Sequence, residues 1–562
     1  MRGKRNFGLV IGGLLVCAAS FASAAQKSEL VIGITQYPAT LHPNIESMLA
    51  KVYVLGMVRR PLTAYGHDWK VACLMCERLP SLEDGTAVIE PLAPERAKDG
   101  RTEGIAVTYD IPPEAVWGDG EPITTDDVVF TWRVGKAPKS GVAGQEAYRR
   151  ILAIDKLSEK RFTVHGDRIT FDYQSLSLQL LPAHLERTIF EADVTQYRYR
   201  TRFETDPTNP GLHFGPYRIS SVHRGSHIVL EPNPRWWGPK PAYDRVTLRV
   251  IQKTAALEAN LLSGSIDYIA GELGLALDQA LAFEKRYPSR YRYEYKPGLI
   301  YEHIDFNLSN PILANRKVRR ALAHGIDREA ISRQLFGGKQ PVAHSNVSPL
   351  DWIYEPDVPR YPFDPEKAKR LLEEAGWGSL RRGIRYNKQG DKLTLEIMTT
   401  AGNRTRELVE QVLQSQWRRI GVDVKIRNEP ARVFFGETVS KRKFSSMAMF
   451  AWISSPESVP RSTLHSSEIP TQANGWSGQN TTGYQNPEVD TLLDAIEVEL
   501  DRTKRRILWS KLQSIYARDL PVLPLYFRAN AYIYPRTLTG VAPTGHQFPS
   551  TLWIERWRSA AQ

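Results

Sequence analysis

Apolar residues recur along this chain with two different periods, and each period predicts one kind of element. Short runs rich in β-branched residues predict strands. These runs are ELVIGITQ near residue 30, IAVTYDI, RFTVHG, two within GPYRISSVHRGSHIVLEPN around an Arg224-Gly225 turn, DRVTLRVI and VDVKI. Between them lie segments whose apolar residues are three and four positions apart, which predict helices. Helices that alternate with short strands are typical of α/β lobes.

The predicted helices carry start and stop signals. Asp364 is placed to cap a helix with Pro365 at its first position, and Gly376 is placed to end it. Residues 315 to 336 predict one helix, because apolar residues at four-residue spacing form a single face. The members of that face are Val318, Leu322, Ile326 and Ala330. Other predicted helices are ALEANLLS before Gly264, Arg404 to Ile420 with Leu408, Val412 and Leu413 inward, one after Asn486-Pro487, and Thr503 to Arg518.

WGDGEPITTDDVVFTW, residues 117 to 132, places four carboxylates close together and raises the question of a metal or acid/base site. A calcium loop requires DxDxDG spacing and a distant glutamate, which this stretch lacks. Thr124 is instead well placed as an N-cap, and Asp126 and Asp127 fall in the first helical turn, where negative charge is favourable. The stretch therefore predicts the start of a helix with Val128 and Trp132 on its buried side.

The N-terminus has the pattern of a secretory signal peptide over residues 1–24. A basic MRGKR precedes the short apolar segment from Phe7 to Phe21, and Ala22-Ser23-Ala24 supplies small residues for cleavage. Cys17 suggests a lipoprotein, but Val16 stands where such a signal needs a small residue. We therefore expect cleavage near Ala25 and free release into the periplasm.

Composition limits the classes of function. Removal of the signal peptide lowers the formal charge from +12 to +9, and charged residues of both signs, 24% of the chain, are spread throughout. A nucleic-acid partner is not expected, since such proteins concentrate their basic residues in patches. With 562 residues the chain should form two or three domains.

Candidate chemistry is sparse. The chain has no GxSxG, HExxH, GxxxxGK[ST] or GxGxxG motif, and its twelve histidines are scattered, so we expect no enzyme, metal or cofactor. Cys73 and Cys76 form CLMC. A structural disulfide or two idle thiols is the interpretation we prefer over redox chemistry, which needs a βαβ context, and over a zinc site, which needs a second ligand pair.

Several motifs together resemble one family. WGDGEPITTDDVVFTW resembles the W-x-DG-x-P-[IL]-T-A-x-DV-x-F signature of the family 5 extracellular solute-binding proteins, the dipeptide- and oligopeptide-binding components of ABC importers. Further segments match in the same order: FGPYRI, LLSGSIDYI, FNLSNPILANRKVRRALAHGIDREAI, YPFDPEKAKRLLEEAG, IGVDVKI and GYQNPEVDTLL.

The resemblance implies a two-lobed α/β periplasmic binding protein fold of type II-like topology, in which hinged lobes close over a ligand cleft. By analogy, the first lobe comprises residues 25–72, 205–305 and 525–562. An extra inserted domain comprises residues 73–204, and the second lobe residues 306–524.

The resemblance also indicates where a ligand binds. Peptide binders of this group often carry Trp-x-x-Asp, whose aspartate pairs with the α-ammonium of the peptide. The matching element here is FAWISSPES, in which Trp452 is retained but Ser455 replaces the aspartate. Three explanations stay open: Glu457 or Glu302 supplies the carboxylate, a peptide binds in another register or with a blocked amine, or the ligand is not a peptide.

Further candidate ligand contacts come from positions where this fold usually turns toward its cleft, with core or surface packing as the alternative for each. They are Tyr37, Tyr301, His303, Arg404, Trp476 and Asn480. The resemblance implies a monomer that captures peptides and delivers them to an ABC permease in the inner membrane. The alternative is the same role for an oligosaccharide, an opine-like conjugate or a metal chelate.

Overall fold

The computed structural model describes residues 28–45, 48–93, 101–142, 145–176, 178–474, 476 and 478–560. The predicted signal peptide lies outside these residues. No helix in the described ranges is long and apolar enough to cross a membrane.

One ten-stranded sheet runs through the molecule. The strands are β1 Glu29–Ile34, β2 Thr63–Tyr65, β3 Val71–Cys73, β4 Ala87–Pro91, β5 Glu103–Asp110, β6 Ile151–Lys156, β7 Arg161–Gly166, β8 Tyr217–His223, β9 His227–Pro232, β10 Arg245–Val250, β11 Tyr268–Ile269, β12 Arg292–Phe306, β13 Ser379–Arg381, β14 Ile384–Tyr386, β15 Thr394–Met398, β16 Asp423–Ile426, β17 Met447–Ile453, β18 Val522–Tyr534, β19 Leu538–Thr539 and β20 Arg558–Ser559. The large sheet has the order β16-β15-β17-β12-β18-β11-β1-β10-β9-β8.

Helices cover the sheets. They are α1 Leu49–Val58, α2 Thr125–Lys136, α3 Gln145–Arg149, α4 Ala183–Ala192, α5 Tyr197–Arg200, α6 Arg202–Thr205, α7 Thr254–Ser263, α8 Leu277–Arg286, α9 Pro311–Ala314, α10 Arg316–His324, α11 Arg328–Phe336, α12 Pro365–Glu374, α13 Arg404–Arg419, α14 Ala431–Val433, α15 Arg461–Leu464, α16 Pro487–Val498 and α17 Arg502–Asp519. Short 3-10 turns cover Pro210–Leu212, Ser466–Glu468 and Ser550–Arg556, and a π-helical turn covers Phe434–Val439.

Two long strands, β12 and β18, connect two α/β lobes. The first lobe is built on β1 and β8 to β11, and the second lobe on β15 to β17. The last residue of β17, Ile453, pairs with Ile300 of β12, and β11 pairs with β18 at Ile533 from the opposite direction. The carboxyl ends of the strands in both lobes therefore point to the middle of β12 and β18. The register of these two strands shifts between Pro297 and Tyr301, at the place where the cleft opens.

A separate four-stranded antiparallel sheet, β4-β5-β7-β6, forms the inserted domain together with α2 to α6.

The helix start predicted from WGDGEPITTDDVVFTW is confirmed. The hydroxyl of Thr124 accepts from the Asp126 backbone, and the Asp127 side chain accepts from the Thr124 backbone in a capping box. Val128 is fully buried and Trp132 partly buried against the same core. Each lobe and the inserted domain has its own apolar core.

Two helix predictions are corrected. The single helix expected over residues 315 to 336 is two helices, α10 and α11, because the chain turns at Gly325 and Asp327 caps the second helix by accepting from the Ala330 backbone. In α13, Leu408 is 41% exposed rather than inward, and Val409, Leu413 and Trp417 form the buried face. The residues buried in α13 are set by the sheet that it covers. Cys73 and Cys76 form a disulfide, which decides between the two states that the sequence left open for this pair.

Candidate functional site

A cavity of about 130 Å³, the narrow cavity, lies against the end of β17. Its walls come from Leu299 to Asp305 of β12, from segment 346–353, from segment 452–464 and from Gln479, Thr482, Tyr516 and Val522. Trp452 lies on the second-lobe side, with its ring 5.4 Å from that of Phe450. None of the described residues that line this cavity is a lysine or an arginine.

Strand alternation decides which side chains of β12 reach the narrow cavity. Tyr301 and His303 point to the same face, with stacked rings 5.0 Å apart, and both line the cavity as predicted from the sequence. The hydroxyls of Tyr301 and Tyr516 are 3.0 Å apart and hydrogen-bonded. Both Tyr301 and His303 are buried, so these two residues form a rigid floor. Their contact with a ligand stays a prediction.

Asp305 continues this face of β12 and is already partnered. Its Oδ2 accepts a hydrogen bond of 2.5 Å from the Thr481 hydroxyl, and its Oδ1 lies 3.2 Å from His303 Nε2. The carboxylate is buried, and these partners fix it in place. Asp305 therefore contributes to the shape of the floor and has little capacity left for a ligand.

The loop after β17 joins the narrow cavity to a second, larger one. Ser455, Ser458, Val459 and Ser462 line both cavities. The second, the wide cavity, has about 830 Å³ and lies between the inserted domain and the second lobe, with Tyr65 of the β2–β3 hairpin in its wall. The element that carries Trp452 and Ser455 is thus the shared border of the two cavities.

The wide cavity has strongly charged walls. Its described basic residues are Arg101, Arg150, Arg168 and Arg461, and its acidic residues are Glu103, Asp172, Glu457, Glu468, Asp494 and Glu497. Arg461 lies within salt-bridge distance of both Asp494 and Glu497, at partly exposed positions. In the part of the chain that the structure describes, no group of three or more His, Cys, Asp or Glu side chains is placed to hold a metal ion.

Contacts across the wide cavity tie the inserted domain to the second lobe. The backbone N–H of Phe171 donates to the carbonyl of Glu497 at 3.1 Å. The guanidinium of Arg505 lies 4.6 Å from the centre of the Phe171 ring, a cation–π contact. The two partners of each contact belong to different domains, so these contacts hold the cleft in the conformation described here.

Glu457, one of the two carboxylates expected to replace the missing aspartate, lines the wide cavity but already has partners within the protein. Its side chain forms an ion pair with Arg505 and accepts a hydrogen bond of 2.9 Å from Trp352 Nε1. Burial raises the pKa of Glu457, while the bonds from Arg505 and Trp352 oppose that rise. The negative charge is therefore balanced within the protein.

Glu302 is not available either. Its side chain points to the opposite face of β12 from Tyr301, because adjacent residues of a strand alternate. There it is fully buried and paired with Arg406 at 2.6 Å and with Arg528 at 2.5 Å. Sequence alone could not show that two arginines from distant segments meet this carboxylate.

Asp351 is a cavity residue that sequence reasoning missed. It is 6% exposed and lines the narrow cavity beside Trp452. Its Oδ2 accepts a hydrogen bond of 2.7 Å from the Glu457 backbone, and its Oδ1 accepts a weaker one of 3.4 Å from Ile353. Burial raises the pKa of Asp351 to about 6, against the opposing effect of these backbone bonds. Its only sequence signal is a carboxylate within the apolar run LDWIY.

The remaining predicted contacts are not brought to the narrow cavity. Arg404 lies at the exposed start of α13, in a separate open depression with the start of α8. Tyr37 is half-buried near Glu204 and Arg224 in the first lobe. Trp476 lies in a surface loop, where its backbone donates to Thr471. For these three residues ligand contact stays a prediction.

The structure corrects the prediction for Asn480. This residue is fully buried, and its amide nitrogen donates to the carbonyls of Leu464, His465 and Tyr484. Its carbonyl oxygen accepts from the Tyr484 backbone and the Thr482 hydroxyl. Asn480 therefore holds its loop together and has no polar atom left for a ligand, although its neighbour Gln479 lines the narrow cavity.

Comparison with known proteins agrees with this architecture. The chain is 28% identical over 460 residues to the oligopeptide-binding protein AppA of Bacillus subtilis (strain 168), and the match covers 81% of each chain. Among solved structures it resembles the oligopeptide-binding protein from Thermus thermophilus complexed with a pentapeptide. That likeness has 27% identity and a TM-score of 0.69, over 95% of this chain and 96% of the other.

NikA from Brucella suis in complex with Fe(III)-EDTA has a TM-score of 0.75 over 94% of this chain and 99% of that one, but at 19% identity the likeness concerns the fold alone. Residues 91–471 match the family described as "Bacterial extracellular solute-binding proteins, family 5 Middle", which is more than half of the chain. The two lobes, the inserted domain and the cleft between them are thus those of a binding protein, and this chain belongs to the family 5 bacterial extracellular solute-binding proteins.

Proposed function

We propose that this chain captures peptides in the periplasm and delivers them to the permease of an ABC importer in the inner membrane. The observation that carries the proposal is the pair of joined cavities. Ligand pockets usually measure about 300 to 1,000 Å³. The narrow cavity, at about 130 Å³, holds one end of such a ligand, and the wide cavity, at about 830 Å³, holds the rest.

The chemistry of the two cavities supports a peptide over a compact solute. The narrow cavity offers an indole ring and a carboxylate, which suit an apolar group next to a cation. The wide cavity offers charges of both signs along walls from two domains, which suit side chains of varied character. Relatives named as oligopeptide-binding proteins, one of them solved with a pentapeptide, support the same ligand class.

The same proposal includes the route and state of the protein. The chain is exported by its N-terminal signal sequence, acts as a monomer and uses no cofactor. Ligand binding favours a closed arrangement of the lobes, since a ligand that touches both walls binds the closed state more tightly than the open one. Energy for transport comes from a separate ATPase.

The test is to purify the mature protein, denature it and identify any co-purified compound by mass spectrometry. Binding is then measured by thermal shift against pools of synthetic tri- to pentapeptides. Parallel pools of oligosaccharides, opine-like conjugates and metal chelates serve as the competing ligand classes. Recovery of peptides, and stabilisation by peptide pools alone, is the expected result.

The contrary result is equally clear. The peptide proposal would be wrong if a non-peptide compound were recovered, one of the competing pools stabilised the protein, and no peptide pool did so. Turnover of the bound ligand during the assay would instead identify an enzyme.

A further inference from the structure

We propose that Asp351 binds a primary ammonium group of the ligand, in place of the aspartate that Ser455 replaces in the Trp-x-x-Asp element. This inference rests on the proposed function and names the residue that selects ligands at the closed end of the cleft. The carboxylate comes from a different segment of the chain, between α11 and α12, and reaches the same wall of the narrow cavity.

Position is the first support. The backbone N–H that donates to Asp351 belongs to Glu457, two residues after Ser455. The carboxylate is therefore fixed against the turn from which the missing side chain would have projected. Glu457 has a φ of 52°, in the left-handed region that costs a non-glycine residue about 1 to 2 kcal/mol, and the bond to Asp351 helps to hold this turn.

Charge balance is the second support. The carboxylates of Glu457 and Glu302 each pair with an arginine. Asp305 accepts a hydrogen bond from the Thr481 hydroxyl and lies 3.2 Å from His303 Nε2. Asp351 forms no ion pair among the described residues, and the hydrogen bonds that it accepts come from uncharged backbone groups. It is thus a buried negative charge with no balancing cation, which is costly in the empty protein.

The surroundings restrict what can balance this charge. Since no lysine or arginine lines the narrow cavity in the described residues, the site favours cations and disfavours a carboxylate end of a peptide. Trp452 offers an aromatic face in the same cavity, which also attracts cations. An ammonium group would form a charge-assisted hydrogen bond with Asp351, about twice as strong as a neutral one.

A rise in the pKa of Asp351 to about 6 agrees with this assignment, because burial without a cation penalises the ionised carboxylate. Protonation of the Asp351 carboxyl therefore stabilises the folded protein relative to the unfolded chain. This contribution is lost as the pH rises through about 6. An ammonium group from the ligand would restore the balance at neutral pH.

The ammonium group has two sources in peptides, the amino terminus and the side chain of lysine. Three synthetic pools separate them: lysine-free tetrapeptides with free amino termini, the same tetrapeptides N-acetylated, and N-acetylated tetrapeptides that each carry one lysine. Binding of each pool, and the Kd of its strongest binder, is measured at about pH 7.5 for the wild type and for Asp351→Asn. Asp357→Asn, an exposed aspartate of the same segment, is the matched control.

The expected result is that N-acetylation weakens binding to the wild type by about 10- to 100-fold, whereas Asp351→Asn binds the free and acetylated pools equally weakly. Recovery of affinity in the lysine pool would assign the site to a side-chain ammonium. Asp357→Asn should behave as the wild type. The empty Asp351→Asn protein should melt at or above the wild-type temperature at the same pH, which shows that it is folded.

Two outcomes would overturn the inference. If the wild type binds all three pools equally, or if Asp351→Asn keeps the full preference of the wild type among the pools, Asp351 does not bind an ammonium group, yet the peptide proposal stands. If no peptide pool binds at all, the proposed function fails, and the inference fails with it.

Discussion

The narrow and the wide cavity share one border and differ in almost every other property. The narrow cavity has about 130 Å³, is built from the second lobe and β12, and has no lysine or arginine in its described lining. The wide cavity has about 830 Å³, lies between two domains and is lined by four arginines and six acidic residues. In the narrow cavity, Asp351 has no ion-pair partner among the described residues, whereas the wide cavity has many charges that screen one another.

This difference indicates that the two cavities contribute differently to ligand selection. A small, buried space with one unpaired carboxylate selects strictly, because each group in it is desolvated and any mismatch leaves a polar atom without a partner. A large, hydrated space with mixed charges selects weakly, since water and flexible side chains adapt to what enters. We therefore expect affinity to depend on the narrow cavity, and the range of accepted ligand lengths to depend on the wide one.

The largest effect is expected at Arg505, which forms a buried ion pair with Glu457 at the wall of the wide cavity. Arg505→Ala leaves the buried carboxylate of Glu457 without its cation and removes the contact with Phe171. The free energy of unfolding should fall by about 3 kcal/mol, as measured by urea denaturation.

Arg461→Ala is the matched control for Arg505→Ala, because Arg461 lines the wide cavity and its ion pairs are partly exposed. It should cost less than about 1 kcal/mol. Equal effects of the two variants would contradict the distinction between one buried pair and many solvated ones.

The next effect concerns the ring at the shared border. Trp452→Ala removes the aromatic wall of the narrow cavity and should raise the Kd for a bound peptide by about 10- to 100-fold, as measured by titration calorimetry. Tyr199→Ala removes an aromatic side chain that is 64% exposed and lines neither cavity, so its Kd should not change. Unchanged affinity in Trp452→Ala would remove this element from the site.

A third effect depends on pH. With the pKa of Asp351 near 6, protonation removes its charge as the pH falls, so the Kd for a peptide with a free amino terminus should rise about tenfold from about pH 7 to about pH 5. Glu457 and Tyr65 interact electrostatically with Asp351, Arg505 pairs with Glu457, and Asp305 and His303 line the same cavity. Asp351→Asn should flatten the profile; a profile of the same slope in this variant would assign the titration to one of the others.

The smallest effect is expected in the wide cavity. Asp494→Asn removes a carboxylate that is mostly exposed and paired with Arg461. Its charge is screened by water and neighbouring charges, so the Kd for a mixed tetrapeptide pool should change less than about twofold. A loss of about tenfold or more in a binding assay would show that the wide cavity also selects its ligand by charge.

Much of the fold could be predicted because its signals are local. Thr124 caps α2 and Asp364 caps α12 through contacts within three residues, so spacing alone predicts them. The break between α10 and α11 was missed because the apolar period continues across it, and only the turn at Gly325 and the cap at Asp327 separate the two helices. Leu408 was misplaced because the sheet decides which side of α13 is buried.

The candidate site was predictable only in part, because only some of its residues are related by local sequence patterns. Trp452 and Ser455 belong to one motif, and Tyr301 and His303 to one strand, so the chain order places them. Asp351 is 101 residues from Trp452 in sequence, and no local pattern relates the two. The arginines that neutralise Glu302 and Glu457 are also distant in the chain, so a carboxylate that looked available proved to be occupied.

The sequence by itself determined the elements, the family and the absence of an aspartate at position 455, because these depend on residue identity and on spacing within a few turns. Only the tertiary structure decided which carboxylate of the narrow cavity has no ion-pair partner among the described residues. Burial and charge pairing depend on segments that meet in space, and the long strands β12 and β18 bring those segments together from far apart in the chain.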